Sequence, residues 1–187
     1  HTASFLRGPT QPAGMLSIDL NCDMGEGFPN DALIFPYISS VNIACGYHAG
    51  DKKTMQATVA AAMKHQVAIG AHPSYPDREN FGRNDILHTK VRISDLAIMV
   101  QEQIVLLQEI CRIAGATLHH VKPHGAPYNR AAWDREAAAC ICSAIQLTNP
   151  SLLLYGLSGS AMERTAAEFQ LRFVHEVFAD RTYQDDG

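Results

Sequence analysis

Six short apolar runs, each closing on a cluster of polar residues and most separated by a segment of helical periodicity, constrain this chain more than any other feature. Strands are predicted near Leu16–Leu20, Val41–Ala44, Val67–Gly70, Leu118–Lys122, Leu152–Tyr155 and Phe173–Phe178. They are short and rich in Val, Ile and Leu, as parallel strands buried on both faces tend to be. Between them, Lys52–His65 sets Met55, Val59, Ala62 and Met63 on one helical face. Asp95–Ala114 does the same with Leu96, Val100, Ile104, Leu107, Ile110 and Ala114. Ser94 is the predicted N-cap of that helix and Gly115 its stop. Helices over Ala131–Leu147 and Ser160–Glu168 complete the set.

Strand–helix alternation implies a parallel sheet, either doubly wound or closed into a barrel. The polar clusters favour the barrel. Asp19-Leu-Asn-Cys-Asp23, Cys45-Gly-Tyr-His48-Ala-Gly-Asp51, His72-Pro-Ser-Tyr-Pro-Asp77-Arg78, Lys122-Pro-His124-Gly, Gly156-Leu-Ser158-Gly and Ala179-Asp180-Arg181 follow the strands in turn. A barrel gathers such strand ends into one ring, whereas an open sheet spreads them along an edge. The expected fold class is therefore α/β, an irregular parallel β/α barrel.

The chain of 187 residues is long enough for one domain with a sizeable core. Residues 1–14 carry no apolar periodicity and no signal-peptide core, and read as a leader or cloning remnant before a barrel domain over 15–187. A formal net charge of −4 and the lack of any Lys/Arg-rich run argue against a nucleic-acid partner. No stretch approaches the roughly 20 apolar residues of a membrane span. Five cysteines without a CxxC pair read as reduced thiols, and so as a cytoplasmic protein.

Of the nine histidines, His48, His72 and His124 each lie in a turn after consecutive strands. One such histidine reads as a turn cap; three at the same strand ends read as proton carriers or metal ligands. His119 and His120 are adjacent in a strand, so at most one faces inward. Asp19, Asn21 and Asp23 alternate along the first strand's end, with Glu26 just beyond. Carboxylates there suit a divalent cation or a general base. The competing reading is a solvated loop with Asx turns. Asp51 opens a helix and is equally well its N-cap. Asp77-Arg78 and Asp180-Arg181 are ion pairs or clamps for a substrate carboxylate. Lys122 can balance an anion and His124 can transfer a proton. The chain has no phosphate loop and no dinucleotide fingerprint, and Gly156-Leu-Ser-Gly-Ser160 lacks the last glycine of a nucleophile elbow.

Asp19-Leu-Asn-Cys-Asp-Met-Gly-Glu26, Asn42-Ile-Ala-Cys-Gly-Tyr-His-Ala-Gly-Asp51, Gly70-Ala-His-Pro-Ser-Tyr-Pro-Asp-Arg78 with Phe81-Gly-Arg83, Val121-Lys-Pro-His-Gly-Ala126 and Glu176-Val-Phe-Ala-Asp-Arg181 closely resemble the signature segments of the LamB/YcsF family. The resemblance runs from about Met15 to Gly187. It implies the A-type component of a bacterial 5-oxoprolinase, which with B and C subunits cleaves 5-oxo-L-proline to L-glutamate as ATP becomes ADP and phosphate. It also implies a barrel like those of the glycoside hydrolase/deacetylase superfamily. The cofactor implied is ATP, with a divalent metal ion as a second candidate. By motif position, Asp23, His48, His72, Lys122 and His124 are the catalytic candidates. Asp19, Asn21, Glu26, Asp51, Asp77, Arg78, Arg83, Asp180 and Arg181 are the substrate-binding candidates. The candidate metal ligands are Asp19, Asp23, His48, His72 and His124.

Three departures from the family pattern stand out. Lys52 replaces a usual Pro, and Pro127 a usual Leu near Tyr128. Family members also continue past Gly187 with the last strand and helix of the barrel. A chain without them is expected to expose a sheet edge and apolar helix faces, for a second copy or a partner to cover. Two rival activities fit the same residues. One is a metal-dependent deacetylase or amidohydrolase working without ATP; the other is a non-catalytic binding component of a complex.

Overall fold

A computed structural model of the chain describes residues 17–179. Six parallel strands form one sheet in the order β1-β2-β3-β4-β5-β6. They are β1 (Asn21–Met24), β2 (Ser40–Ala44), β3 (Ala68–His72), β4 (Leu118–Val121), β5 (Leu153–Leu157) and β6 (Phe173–Glu176). The helices are α1 (Asp31–Ile34), α2 (Lys52–His65), α3 (Ile93–Ala114), α4 (Gly125–Trp133), α5 (Arg135–Thr148) and α6 (Ala161–Glu168). A 3-10 turn at Phe35–Tyr37 follows α1.

The sheet is strongly curled. Tyr155 of β5 donates its O–H to Asp19, just before β1, at 2.9 Å. In a flat sheet those strands would stand roughly 19 Å apart. The architecture is an incomplete β/α barrel, since β1 and β6 do not pair with each other among the described residues.

The strands are not apolar throughout. One face carries Val41, Ile43, Ile69, Ala71, Val121 and Leu154, packed in the core with Met55, Val59, Leu96, Val100, Ile104, Ile141 and Ile145 of α2, α3 and α5. The other face carries Ser40, Asn42, His72, His120 and Lys122, all buried inside the curl. Gly70 belongs to this inner face. A Cβ there would lie 2.1 Å from His120 Nε2, so only glycine leaves room for that ring.

This inner polar face explains why the first strand lies later than predicted. Asn21 and Asp23 alternate inward, so β1 lacks the apolar signature expected of a strand. The apolar segment before it is irregular, and Ile18 and Leu20 are exposed. Leu16 and the 1–14 segment lie outside the described residues.

Helix α2 has the predicted bounds, with Asp51 as N-cap accepting from Thr54 N–H at 2.7 Å and Gln66 closing it in the left-handed region. Its buried face is Met55, Thr58, Val59 and Ala62, while Met63 points outward. Helix α3 starts two residues earlier than predicted, after an extended Arg92 with no side-chain cap. Arg92 closes the first turn by pairing with Asp95 at 2.8 Å. Ser94 therefore sits inside the helix and donates to Asp95. Gly115, with φ 79°, stops it as expected. The single helix predicted over Ala131–Leu147 is two. Asp134 is extended; its carboxylate caps α5 through Glu136 N–H and Ala137 N–H and takes the Arg130 guanidinium from α4. Ser160 caps α6.

Candidate active site and cation cluster

The C-terminal ends of β1 to β4 bring Asp23, Glu26, His48, His72, Lys122 and His124 together. The Asp23 carboxylate accepts from Asn42 Nδ2 at 2.6 Å and stands 3.4 Å from both Lys122 Nζ and His72 Nε2. Burial alone would raise its pKa. The neighbouring His72 and Lys122 charges and the Asn42 hydrogen bond override that and hold it well below the carboxylate range. Asp23 is thus ionised at neutral pH.

Glu26 lies at the centre of three imidazoles. Its Oε1 is 3.0 Å from His48 Nε2, 3.6 Å from His124 Nδ1 and 3.9 Å from His72 Nε2. Burial raises its pKa, with Asp23 adding to the effect against His72 and His124. The His48 and His124 rings stack at 3.9 Å between centroids. Burial, then His72, pushes His48 down to about 3. Burial, then His72 and His48, pushes His124 down to about 4.

Backbone carbonyls set two tautomers. His72 Nδ1 donates to the Lys122 carbonyl at 2.7 Å, and His124 Nε2 donates to the Phe81 carbonyl at 2.9 Å. The remaining nitrogens, His72 Nε2 and His124 Nδ1, then face each other at 3.0 Å, a spacing that takes one shared proton or, with both nitrogens unprotonated, a cation. His48 Nδ1 is buried with no partner among the described residues. One ligand atom from each of Glu26, His48, His72 and His124 fits within 4.8 Å of the others. Neutral imidazoles and a carboxylate at this spacing suit a borderline divalent ion such as zinc. Three ring nitrogens converging on one carboxylate are the donor set that such an ion would satisfy.

Lys122 is not an available cation. Its Nζ pairs with Glu176 at 2.5 Å as well as with Asp23, and Glu176 also accepts from Tyr128 O–H at 2.9 Å. Burial would lower the lysine pKa, but these two carboxylates raise it, so the ammonium stays charged. Beside it opens a cavity of about 440 Å³, lined by Asp23, His72, Arg83, Lys122, His124 and Tyr128 among others.

The other candidates are placed differently. Asp19 lies before β1, at the opposite end of the strands, accepting from Ser39, Ser40 and Tyr155. Asn21 belongs to an interior amide ladder with Asn42. Asp51 is exposed and caps α2. Asp77 is buried, holds Asn80 at 2.8 Å and leaves Oδ2 without a partner among the described residues. Arg78 does not pair with Asp77; its guanidinium donates to the Gly46 carbonyl at 2.7 Å and to the Gly50 carbonyl. Asp180 and Arg181 lie outside the described residues.

Four residues at or beneath the site escaped the sequence reading. Asn42 links Asp23 to His120, which is fully buried and bonds Asn42 at 2.7 Å. Glu176 neutralises Lys122. Phe81, with φ 57°, supplies both a carbonyl to His124 and a ring against His48 and His124. Inward alternation from His72 and Lys122 would have pointed to Asn42 and His120; Glu176 and Phe81 stand in the family signature segments, but nothing there gives them a role.

Comparison with known proteins gives the family. The family model described as LamB/YcsF family matches residues 18–187. A protein of Bacillus cytotoxicus named as the A subunit of 5-oxoprolinase is 52% identical over 178 residues, covering 92% of this chain and 69% of that protein. The protein of the same name from Bacillus cereus is 49% identical over 179 residues, covering 92% of this chain and 70% of its own length. Among solved structures, the "Lactam Utilization Protein from Thermus thermophilus" superposes with a TM-score of 0.87 at 39% identity, over 92% of this chain and 70% of that one. The fold, the strand-end residues and these matches together make the chain a member of the LamB/YcsF family.

Proposed function

We propose that this chain is the A-type component of an ATP-dependent 5-oxoprolinase, acting in the cytoplasm with B and C partner subunits. The observation that carries the reading is the convergence of Asp23, His72 and His124 on the wall of one small cavity. The names of relatives about half identical over nearly the whole chain support the substrate class.

The chemistry suits these side chains. A lactam is a poor electrophile, and transfer of a phosphoryl group from ATP to its amide oxygen improves it. Water then adds to the ring carbon and the C–N bond breaks, with the nitrogen taking a proton, to leave an acyl phosphate. A second water releases phosphate and L-glutamate. Asp23, ionised and facing the cavity, takes a proton from water. His124, neutral and with Nδ1 in contact with His72 Nε2, shuttles that proton toward the leaving nitrogen. Lys122, paired with Asp23 and Glu176, keeps the Asp23 carboxylate ionised for that step. Reconstituted complex should release glutamate and phosphate together, in equal amounts, only when both 5-oxo-L-proline and ATP are present. Lactam opening at full rate without ATP would refute this reading.

The convergence of Glu26, His48, His72 and His124 supports a second reading, a metal-dependent amidohydrolase. Glu26, His48, His72 and His124 would hold the ion. A bound divalent cation supplies Lewis-acid activation of a carbonyl or of water. Asp23 remains the proton acceptor in that case. Stoichiometric zinc with nucleotide-free turnover of an amide would select it.

A further inference from the structure

Three basic side chains belong to the site region, and two are already committed. Arg78 does not line the cavity and is tied to the Gly46 and Gly50 carbonyls. Lys122 is held between Asp23 and Glu176. Arg83 lines the cavity too and makes no side-chain hydrogen bond or ion pair among the described residues, although the Glu26 carboxylate feels its charge. Its guanidinium carbon stands 5.3 Å from the Phe81 ring centroid, within cation–π range.

The backbone beneath Arg83 is rigidly seated. Gly82 N–H donates to the Asp77 carbonyl at 2.7 Å, and Ala126 N–H at the start of α4 donates to the Gly82 carbonyl at 2.9 Å. Neither neighbouring glycine admits a side chain. A Cβ on Gly82 would lie 2.2 Å from Ser74 Oγ, and one on Gly125 would lie 2.5 Å from the Gly82 carbonyl oxygen. The segment that carries Arg83 is therefore bolted to the same turn that carries His124. An uncommitted guanidinium fork on a fixed base, at the rim of a cavity whose other cation is neutralised, is a receptor for a small anion.

We propose that Arg83 anchors the carboxylate of the substrate and so selects acidic lactams over neutral ones. The proposal rests on the lactam-opening reading and names the group that would set its specificity. A carboxylate and a nucleotide phosphate share the same recognition chemistry, and the test separates them.

The complex of this chain with its partner subunits is titrated with three probes: 5-oxo-L-proline, 2-pyrrolidinone (the same ring without the carboxylate) and ATP. For Arg83→Gln, 5-oxo-L-proline affinity should fall about ten- to a hundredfold, the loss typical of a charge-assisted pair. Affinity for 2-pyrrolidinone and ATP should stay within about twofold of wild type, which also shows that the variant is folded. Arg83→Lys, which keeps the charge but loses the fork, should fall between. Unchanged 5-oxo-L-proline binding, or equal weakening of both lactams, overturns the anchor while leaving the lactam reading intact. Loss of ATP binding with 5-oxo-L-proline unaffected overturns it in favour of a phosphate contact. A wild-type complex that binds neither lactam removes the lactam reading itself and the anchor with it.

Discussion

Nε2 of His72 and Nδ1 of His124 face each other at 3.0 Å, while the Lys122 and Phe81 carbonyls hold the far nitrogen of each ring. Two ring nitrogens at that distance share either one proton or a cation. Zinc should therefore stabilise the fold, by about 2.7 kcal/mol at a hundredfold excess over its Kd. Thermal unfolding with and without zinc measures this. The shift should vanish in His72→Ala and in Glu26→Gln; an equal shift in those variants would place the ion elsewhere.

Acid should weaken the protein early. His48 and His120 are pushed down to about 3 and His124 to about 4, each by burial first. Unfolded histidine titrates near 6.5, so between about 6.5 and 4 the unfolded chain binds more protons than the folded one. The stability these groups contribute is complete above that window and is lost as pH falls through it. Each contributes a slope of up to about 1.4 kcal/mol per pH unit. Glu26, whose pKa is raised, takes up a proton in the folded state and opposes the trend. Urea midpoints at pH 7.5, 6 and 5 should decline steadily. A flat profile would mean that the histidines are not buried neutral.

Removing Lys122 should damage stability as well as turnover. Lys122→Met leaves Asp23 and Glu176 without their shared cation. Breaking a buried pair costs about 3–5 kcal/mol, and the partial exposure of Asp23 puts this case toward the lower end. Chemical denaturation at neutral pH should show that loss. A variant as stable as wild type would contradict the charge-balancing role.

Gly70→Ala tests the polar interior. The added methyl meets the His120 ring, which is itself packed on Tyr155 at 4.2 Å between centroids and bonded to Asn42. Overpacking of this kind costs about 1–3 kcal/mol. Pairing Gly70→Ala with His120→Ala should recover part of the loss, since the clash is removed; additive losses would place His120 elsewhere.

Much of this architecture was legible in the residues, and the failures have physical causes. Lys52–His65 was readable to the residue because Asp51 caps it and its apolar positions keep a helical period. The convergence of His48, His72 and His124 followed from their shared place after consecutive strands. The first strand was misplaced because Asn21 and Asp23 face a polar interior, where the usual apolar signature inverts. Asp134 broke a helix that composition alone reads as continuous, because its carboxylate serves Arg130 and the next helix at once. Charge assignment needed three dimensions: Lys122 and Arg78 looked like anion receptors in sequence. Only Glu176, distant in the chain, and the Gly46 and Gly50 carbonyls show that both are committed.

The most direct test of the account is steady-state turnover of 5-oxo-L-proline by the complex carrying Asp23→Asn. Asparagine keeps the shape and can still contact Lys122, but cannot take a proton. The account predicts that kcat falls by about a hundredfold or more, as expected for loss of a general base, with KM little changed. Wild-type kcat in a folded Asp23→Asn complex would contradict it and move the chemistry away from this cluster.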